Sequence, residues 1–140
     1  MRDGLIGQEA FSQAFEIFAA DPKIGIIAPE EAFLPAKKIE YMLGSLPHIK
    51  QIMTRAGFSE YELQDFPAGT MFWFRFDAFK AINALNYVSD DFEPELGQVD
   101  ATLAHAFERA FTTLVVAQNY KIGKYCCISA ASPYYGRDSV

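Results

Sequence analysis

From Gln8 to Ala20 the apolar residues Phe11, Ala14, Phe15 and Phe18 recur at helical spacing, and Asp21-Pro22 closes the run with a residue that cannot continue a helix. An amphipathic helix is predicted there. The next segment, "KIGIIAP", is a short Ile-rich run bounded by charge and by Pro29, and a buried strand suits it better than a helix of so few residues. Between Pro29 and Pro47 the breakers Pro29, Pro35, Gly44 and Pro47 leave room for a short helix around Lys37 to Leu43. Ile49, Ile52 and Met53 then predict an amphipathic helix over His48 to Arg55, ended by Gly57.

The stretch "FPAGTMFWFRFDAFKA", Phe66 to Ala81, changes period halfway along. Thr70 to Arg75 reads as a strand, with Met71, Trp73 and Arg75 on one face and Thr70, Phe72 and Phe74 on the other. Gly69, just ahead of it, permits a backbone conformation or a close approach that a Cβ forbids. From Asp77 onward Ala78, Phe79, Ile82 and Leu85 resume helical spacing, which makes the unit strand, turn, helix. An acidic loop, "NYVSDDFEPELGQ", leads into the strongest helix, about Gln98 to Gln118, with Val99, Leu103, Phe107, Phe111 and Leu114 on one face. "YKIGKYCCISA" predicts one or two strands, and the tail over 133–140 reads as frayed. Together these elements predict a three-layer α/β fold, a layered sheet with flanking helices, in a single domain over residues 1–140.

With 140 residues and 51% hydrophobic content the chain is long enough for one sizeable core and too short for two. A formal charge of −6 and no basic run longer than Lys37-Lys38 argue against a nucleic-acid partner. No apolar stretch approaches the roughly 20 residues that cross a bilayer. The first ten residues lack a charged region leading into an apolar one, so a cytoplasmic location is expected. The two cysteines, Cys126 and Cys127, are adjacent in an apolar run and read as buried thiols rather than a strained vicinal disulfide. No phosphate-cradling loop, GxSxG elbow, HExxH or paired-Cys motif is present, and no D-x-D.

Candidate chemistry is concentrated at the start of the strongest helix, where Glu95, Gln98, Asp100, His105, Glu108 and Arg109 fall within fifteen residues. Asp100 suits either a helix cap, favoured by unpaired N–H groups and the macrodipole, or a general base. Glu95, in the loop before the helix, is free either to be solvated or to face a cleft as a base on a hydroxyl. His105 lies about 200° around the helix from Leu103, off the apolar face, and either meets solvent or lines a site. Structural ion pairing competes with catalysis for Glu108 and Arg109. The aromatic run before Arg75 suits either core packing or a pocket wall that stacks a sugar ring and pairs a phosphate.

"FPAGTMFWFR" followed by "FEPELGQVDATLAHAFER" resembles the rhamnan synthesis protein F family, linked to bacterial lipopolysaccharide O-antigen and rhamnose-containing cell-wall polysaccharide assembly. The resemblance runs from about Phe15 to Phe111 and takes in "FAADPKIGIIAP". It implies a GT-A-type glycosyltransferase whose N-terminal half binds the nucleotide-sugar and whose C-terminal half shapes the acceptor site. This chain is expected to begin inside that domain, as the acceptor-side half, with the donor half and its metal-binding acids lacking. Glu95 and Asp100 match the family's acidic positions and are the implied catalytic bases. Gln98, Thr102, His105, Glu108 and Arg109 match as well. Gly69, Thr70, Trp73, Arg75, Gln98, His105 and Arg109 are the implied substrate-binding set. Two departures are Phe76 where such proteins tend to place Pro and Ala101 where they tend to place Gly; both are expected to be compatible with helix geometry.

The resemblance further implies a nucleotide-sugar and a glycan acceptor as partners and a manganese or magnesium ion in a complete protein, with no metal ligand assigned to this chain. It also implies a location in the cytoplasm or at the inner membrane face. An uncovered apolar surface would favour a homo-oligomer or a partner chain. Two functions stay open on the sequence: part of a sugar-transferring enzyme, or a non-catalytic glycan-binding or accessory module.

Overall fold

Two neighbouring isoleucines divide the core. The computed structural model describes residues 7–38, 42, 44–94, 96, 97 and 100–126. Strand β1 (Ile24–Pro29) is the middle of a three-stranded sheet. It lies antiparallel to β4 (Trp73–Phe74) and parallel to β5 (Lys121–Tyr125). Successive strand residues point to opposite faces, so the fully buried Ile26 and Ile27 feed separate clusters. Ile27 packs with Ala10, Ile17, Phe18, Trp73 and Tyr125 beneath helix α1 (Gln8–Ala20). Ile26 packs with Phe72, Ala78, Phe111 and Val115 beneath helix α4 (Leu103–Ala117).

Helix α4 is covered twice. Its other stripe, Leu103, Ala106, Ala110 and Leu114, packs against Ile49, Ile52 and Met53 of helix α2 (Leu46–Arg55) and against Phe66. Phe66 belongs to β3 (Phe66–Pro67), which pairs antiparallel with β2 (Phe33–Leu34) in a separate two-stranded sheet. A helix walled on two sides has room for small residues along its length, and Ala106, Ala110, Thr112 and Thr113 are accordingly buried. The arrangement is mixed α/β with helices on both faces of the sheet, as the alternation of elements predicts, and α2 adds a further layer behind α4. Among the described residues no helix is long and apolar enough to cross a membrane.

The strand predicted over Thr70 to Arg75 is reduced to Trp73–Phe74. Gly69 (φ 77°) and Thr70 (φ 56°) both take left-handed conformations, which close a tight turn over Ala68–Thr70 and cannot belong to a strand. The predicted face alternation survives the shortening, since Trp73 joins the α1 side and Phe72 the α4 side. The helix expected from Asp77 is a 3₁₀ turn over Phe76–Phe79 followed by the single turn α3 (Lys80–Asn83).

Helix α2 starts two residues earlier than predicted and carries Pro47 in its first turn, where a missing N–H removes no bond. The short helix expected around Lys37 to Leu43 falls largely outside the described residues, with Lys37 in a turn. Cys127 and the tail over 133–140 also lie outside them. Cys126 is exposed rather than buried, because it shares the outward parity of Lys124 along the end of β5.

Close approach between sheet and helix depends on Gly25. A Cβ there would stand 2.6 Å from Val115 Cγ1, 2.8 Å from Ala78 Cβ and 2.9 Å from Tyr120 Cβ. Gly25→Ala is therefore expected to lower stability by roughly 1–3 kcal/mol in urea unfolding. A variant as stable as the parent would show that α4 can back away from the sheet freely.

Candidate functional site

The first two turns of α4 gather a cluster of polar contacts. Thr102 caps the helix: its backbone is extended and its Oγ1 accepts from the His105 N–H at 3.3 Å. The same oxygen lies 2.6 Å from His105 Nδ1, which turns the imidazole back toward the cap. One turn on, Arg109 donates through Nη1 to the His105 carbonyl at 2.9 Å and reaches Asp100 through Nη2 at 3.2 Å. Its side chain is only 9% exposed, and its Cζ stands 5.6 Å from the Phe66 ring.

Asp100 has a second anchor. Its Oδ1 accepts from the Ser45 hydroxyl at 2.7 Å, and Ser45 is wholly buried at the start of α2. Burial acts against the Asp100 charge, yet the Ser45 hydrogen bond, the Ala101 N–H, Arg109 and His105 outweigh it and hold the carboxyl below the ordinary aspartate value. A carboxylate so stabilised is a poor proton acceptor and a good fixed anion. Glu108 lies 3.9 Å from Arg109 and accepts the backbone N–H of Gly69. Glu93 completes the cluster by accepting the Leu103 N–H at 2.8 Å, with His48 3.7 Å from its other oxygen.

Of the residues singled out from sequence, Asp100, His105 and Arg109 are thus brought together, with the Gly69–Thr70 turn tied to them through Glu108. Glu95 and Gln98 lie outside the described residues. Trp73 and Arg75 go elsewhere. The Trp73 ring meets Phe11 edge-on at 5.9 Å on the α1 side of the sheet. Arg75 donates to the carbonyls of Ile24 at 3.0 Å and Phe18 at 2.9 Å, tying the end of α1 to β1. Sequence reasoning missed Ser45, His48 and Glu93. The Ser-Leu-Pro order at 45–47 does signal a helix start, but the Ser45 hydroxyl is spent on Asp100 rather than on a cap.

Ala101 corrects one expectation. It precedes the cap instead of lying in the helix, and its φ of 72° is one that a Cβ disfavours by about 1–2 kcal/mol. Gly44 faces it closely, since a Cβ on Gly44 would lie 2.7 Å from Ala101 Cβ and 2.9 Å from Asp100 Oδ2. Phe76, the other departure, opens a 3₁₀ turn and agrees with the expected geometry. Among the described residues no group of three His, Cys, Asp or Glu is placed to hold the implied divalent cation.

Two substitutions check this geometry. Ala101→Gly is expected to stabilise the chain by roughly 0.5–1 kcal/mol, the left-handed strain relieved less the extra freedom glycine gives the unfolded chain. Equal or lower stability in chemical denaturation would mean that the φ is not strained. Asp100→Asn is expected to destabilise by roughly 1–3 kcal/mol at neutral pH, tempered because Asp100 is 28% exposed. Since the folded carboxyl titrates below its unfolded value of 3.8, its contribution is present above that pH and is lost as pH falls through the lower folded value. The variant's stability should therefore fall less steeply than the parent's below about pH 4. Parallel acid unfolding curves would contradict the assignment.

The family model for rhamnan synthesis protein F matches residues 3–120. Two proteins of Xanthomonas campestris pv. campestris, from strains B100 and ATCC 33913, both named uncharacterized protein WxcX, are 30% identical to this chain over 123 residues. Those residues make up 87% of this chain but span only 17% of the length of each relative. No solved structure matches. The matched stretch holds both motifs, joined in space where Gly69 meets Glu108 and Phe66 meets Arg109, and the chain belongs to the rhamnan synthesis protein F family of polysaccharide biosynthesis.

Proposed function

We propose that this chain is the acceptor-side part of a glycosyltransferase-like protein that moves a sugar from a nucleotide-sugar onto a growing bacterial polysaccharide. The observation that carries the reading is the junction of the two family motifs, in which an exposed, left-handed Gly69–Thr70 turn is fastened to the start of α4 by Glu108. An exposed turn beside a rigid polar helix start offers hydroxyl-binding groups at fixed positions. In this reading Glu95 takes the proton from the acceptor hydroxyl, because Asp100 is committed to Ser45 and Arg109. His105, Gln98 and Thr70 hold the acceptor, and Arg109 fixes the geometry around them. The nucleotide-sugar, with any manganese or magnesium it needs, is supplied by another part of a longer protein or by a partner chain, on the cytoplasmic side of the membrane.

One observation favours the second reading, a glycan-binding or accessory module without catalysis. Each described acid of the cluster is already engaged: Asp100 by Ser45 and Arg109, Glu108 by Gly69, and Glu93 by Leu103. Such a site suits binding better than proton transfer.

Calorimetric titration separates the possibilities. The chain is expected to bind a rhamnose oligosaccharide saturably, with affinity falling about tenfold in His105→Gln for the loss of one or two hydrogen bonds. It is expected not to bind dTDP-rhamnose, with or without manganese or magnesium. A folded sample that ignores the oligosaccharide would sink the acceptor-side reading. In a complete family protein Glu95→Gln should then cut transfer by about 10²–10⁴ while sparing oligosaccharide binding; unchanged transfer would favour the accessory module.

A further inference from the structure

The Thr102 side chain makes two contacts at the start of α4, and only one of them is the cap. Its Oγ1 accepts the His105 backbone N–H at 3.3 Å and also lies 2.6 Å from His105 Nδ1. The second separation is too short for a ring carbon, so the edge of the imidazole that faces Thr102 is the one carrying Nδ1.

In a neutral imidazole one nitrogen donates and the other accepts. Two arrangements fit the 2.6 Å contact. If Nδ1 carries the proton, Oγ1 accepts twice, and the Thr102 hydroxyl hydrogen is left over with no other acceptor among the described residues. If Nε2 carries it, the hydroxyl donates to Nδ1 while a lone pair still serves the backbone N–H, and each hydrogen at the cap is paired. A part-buried donor without an acceptor is costly, which favours the second arrangement. The other side-chain donors of the cluster are already engaged: the Ser45 hydroxyl by Asp100, and Arg109 by the His105 carbonyl and Asp100. Nε2–H has no hydrogen-bond partner among the described residues and stands on the ring edge away from Thr102.

We propose that Thr102 is a positioning residue, whose hydroxyl holds His105 as the Nε2–H tautomer so that the site presents an N–H donor to a lone pair on a ligand oxygen. The tautomer follows from the cap geometry alone. The identity of the ligand rests on the acceptor-side reading above, in which this N–H meets a hydroxyl or ring oxygen of the acceptor sugar. A nitrogen that already carries a proton cannot take one from that hydroxyl, so His105 orients the acceptor and is not its base. A sugar lacking the oxygen would leave the N–H unpaired and bind less well.

Long-range proton–nitrogen NMR of the His105 ring in the full chain tests the tautomer, recorded above the pH at which the ring signals stop changing so that the imidazole is neutral. The parent is expected to carry its proton on Nε2 and to accept at Nδ1. Thr102→Ser keeps the hydroxyl and should keep that pattern. Thr102→Asp still caps the helix but offers only acceptor oxygens, so it should move the proton to Nδ1. Titration with a rhamnose oligosaccharide should shift the Nε2–H signal in the parent and in Thr102→Ser, and affinity should fall about three- to tenfold in Thr102→Asp, the size of one neutral hydrogen bond. A parent with its proton on Nδ1, or a folded Thr102→Asp that keeps the parent's tautomer, would overturn the proposal. Binding that leaves the Nε2–H signal unmoved would overturn it as well. A parent that shows the Nε2–H tautomer but ignores the oligosaccharide would sink the acceptor-side reading and uphold the role of Thr102.

Discussion

A guanidinium hidden from water has to be answered by the structure around it, and around Arg109 that demand organises the candidate site. Its side chain is 9% exposed, so nearly all of its hydration is surrendered on folding. Asp100, the His105 carbonyl and the Phe66 ring replace the lost water. Each of those partners is held in turn: Asp100 by Ser45 on α2, His105 by the Thr102 cap, and Phe66 by its strand pairing with Leu34. Removing one member leaves a charge uncompensated in a tightly packed place, which costs far more than an exposed ion pair contributes.

The helix that starts at this cluster is packed from both sides, and the two facts are connected. Helix α4 is walled by the sheet on one side and by α2 and β3 on the other, so only its first turns offer polar side chains an outlet. A helix start brings unpaired N–H groups and a positive dipole end, which draw in carboxylates. Three of them answer in different ways. Glu93 takes the Leu103 amide, Asp100 takes Arg109 and Ser45, and Glu108 reaches back to the Gly69 turn. That division of labour joins residues from an acidic loop, a helix and an aromatic-rich turn into one rigid unit.

Elements that sit in a single environment were legible from the sequence. Helices α1 and α2 each show one period against one partner, and β1, buried on both faces, shows as a short continuous apolar run, so their positions follow from the pattern. The Phe66–Ala81 stretch was harder, because Gly69 announces a left-handed residue but nothing announces that Thr70 follows it there. Asp100, His105 and Arg109 were legible as candidates because polar residues crowd a helix start. Ser45, His48 and Glu93 were not, since they reach the site only through the packing of α2 and of an acidic loop. Alternation put Trp73 and Arg75 on one face correctly, yet it cannot say which face carries the site, and theirs is the side covered by α1.

Capping was the competing reading for Asp100, and the geometry separates the two roles. Thr102 holds the cap position and Glu93 supplies the additional acceptor, so Asp100 is not needed at the helix end. Its conformation is instead dictated by Arg109 and by the close passage of Gly44, where any side chain would strike Ala101 or the carboxylate itself. An acid restrained from three directions and held ionised is suited to positioning a cation. Asp100 is therefore engaged as a fixed anion by Ser45 and Arg109, and it is for this reason that the reading proposed above gives the proton-accepting role to Glu95.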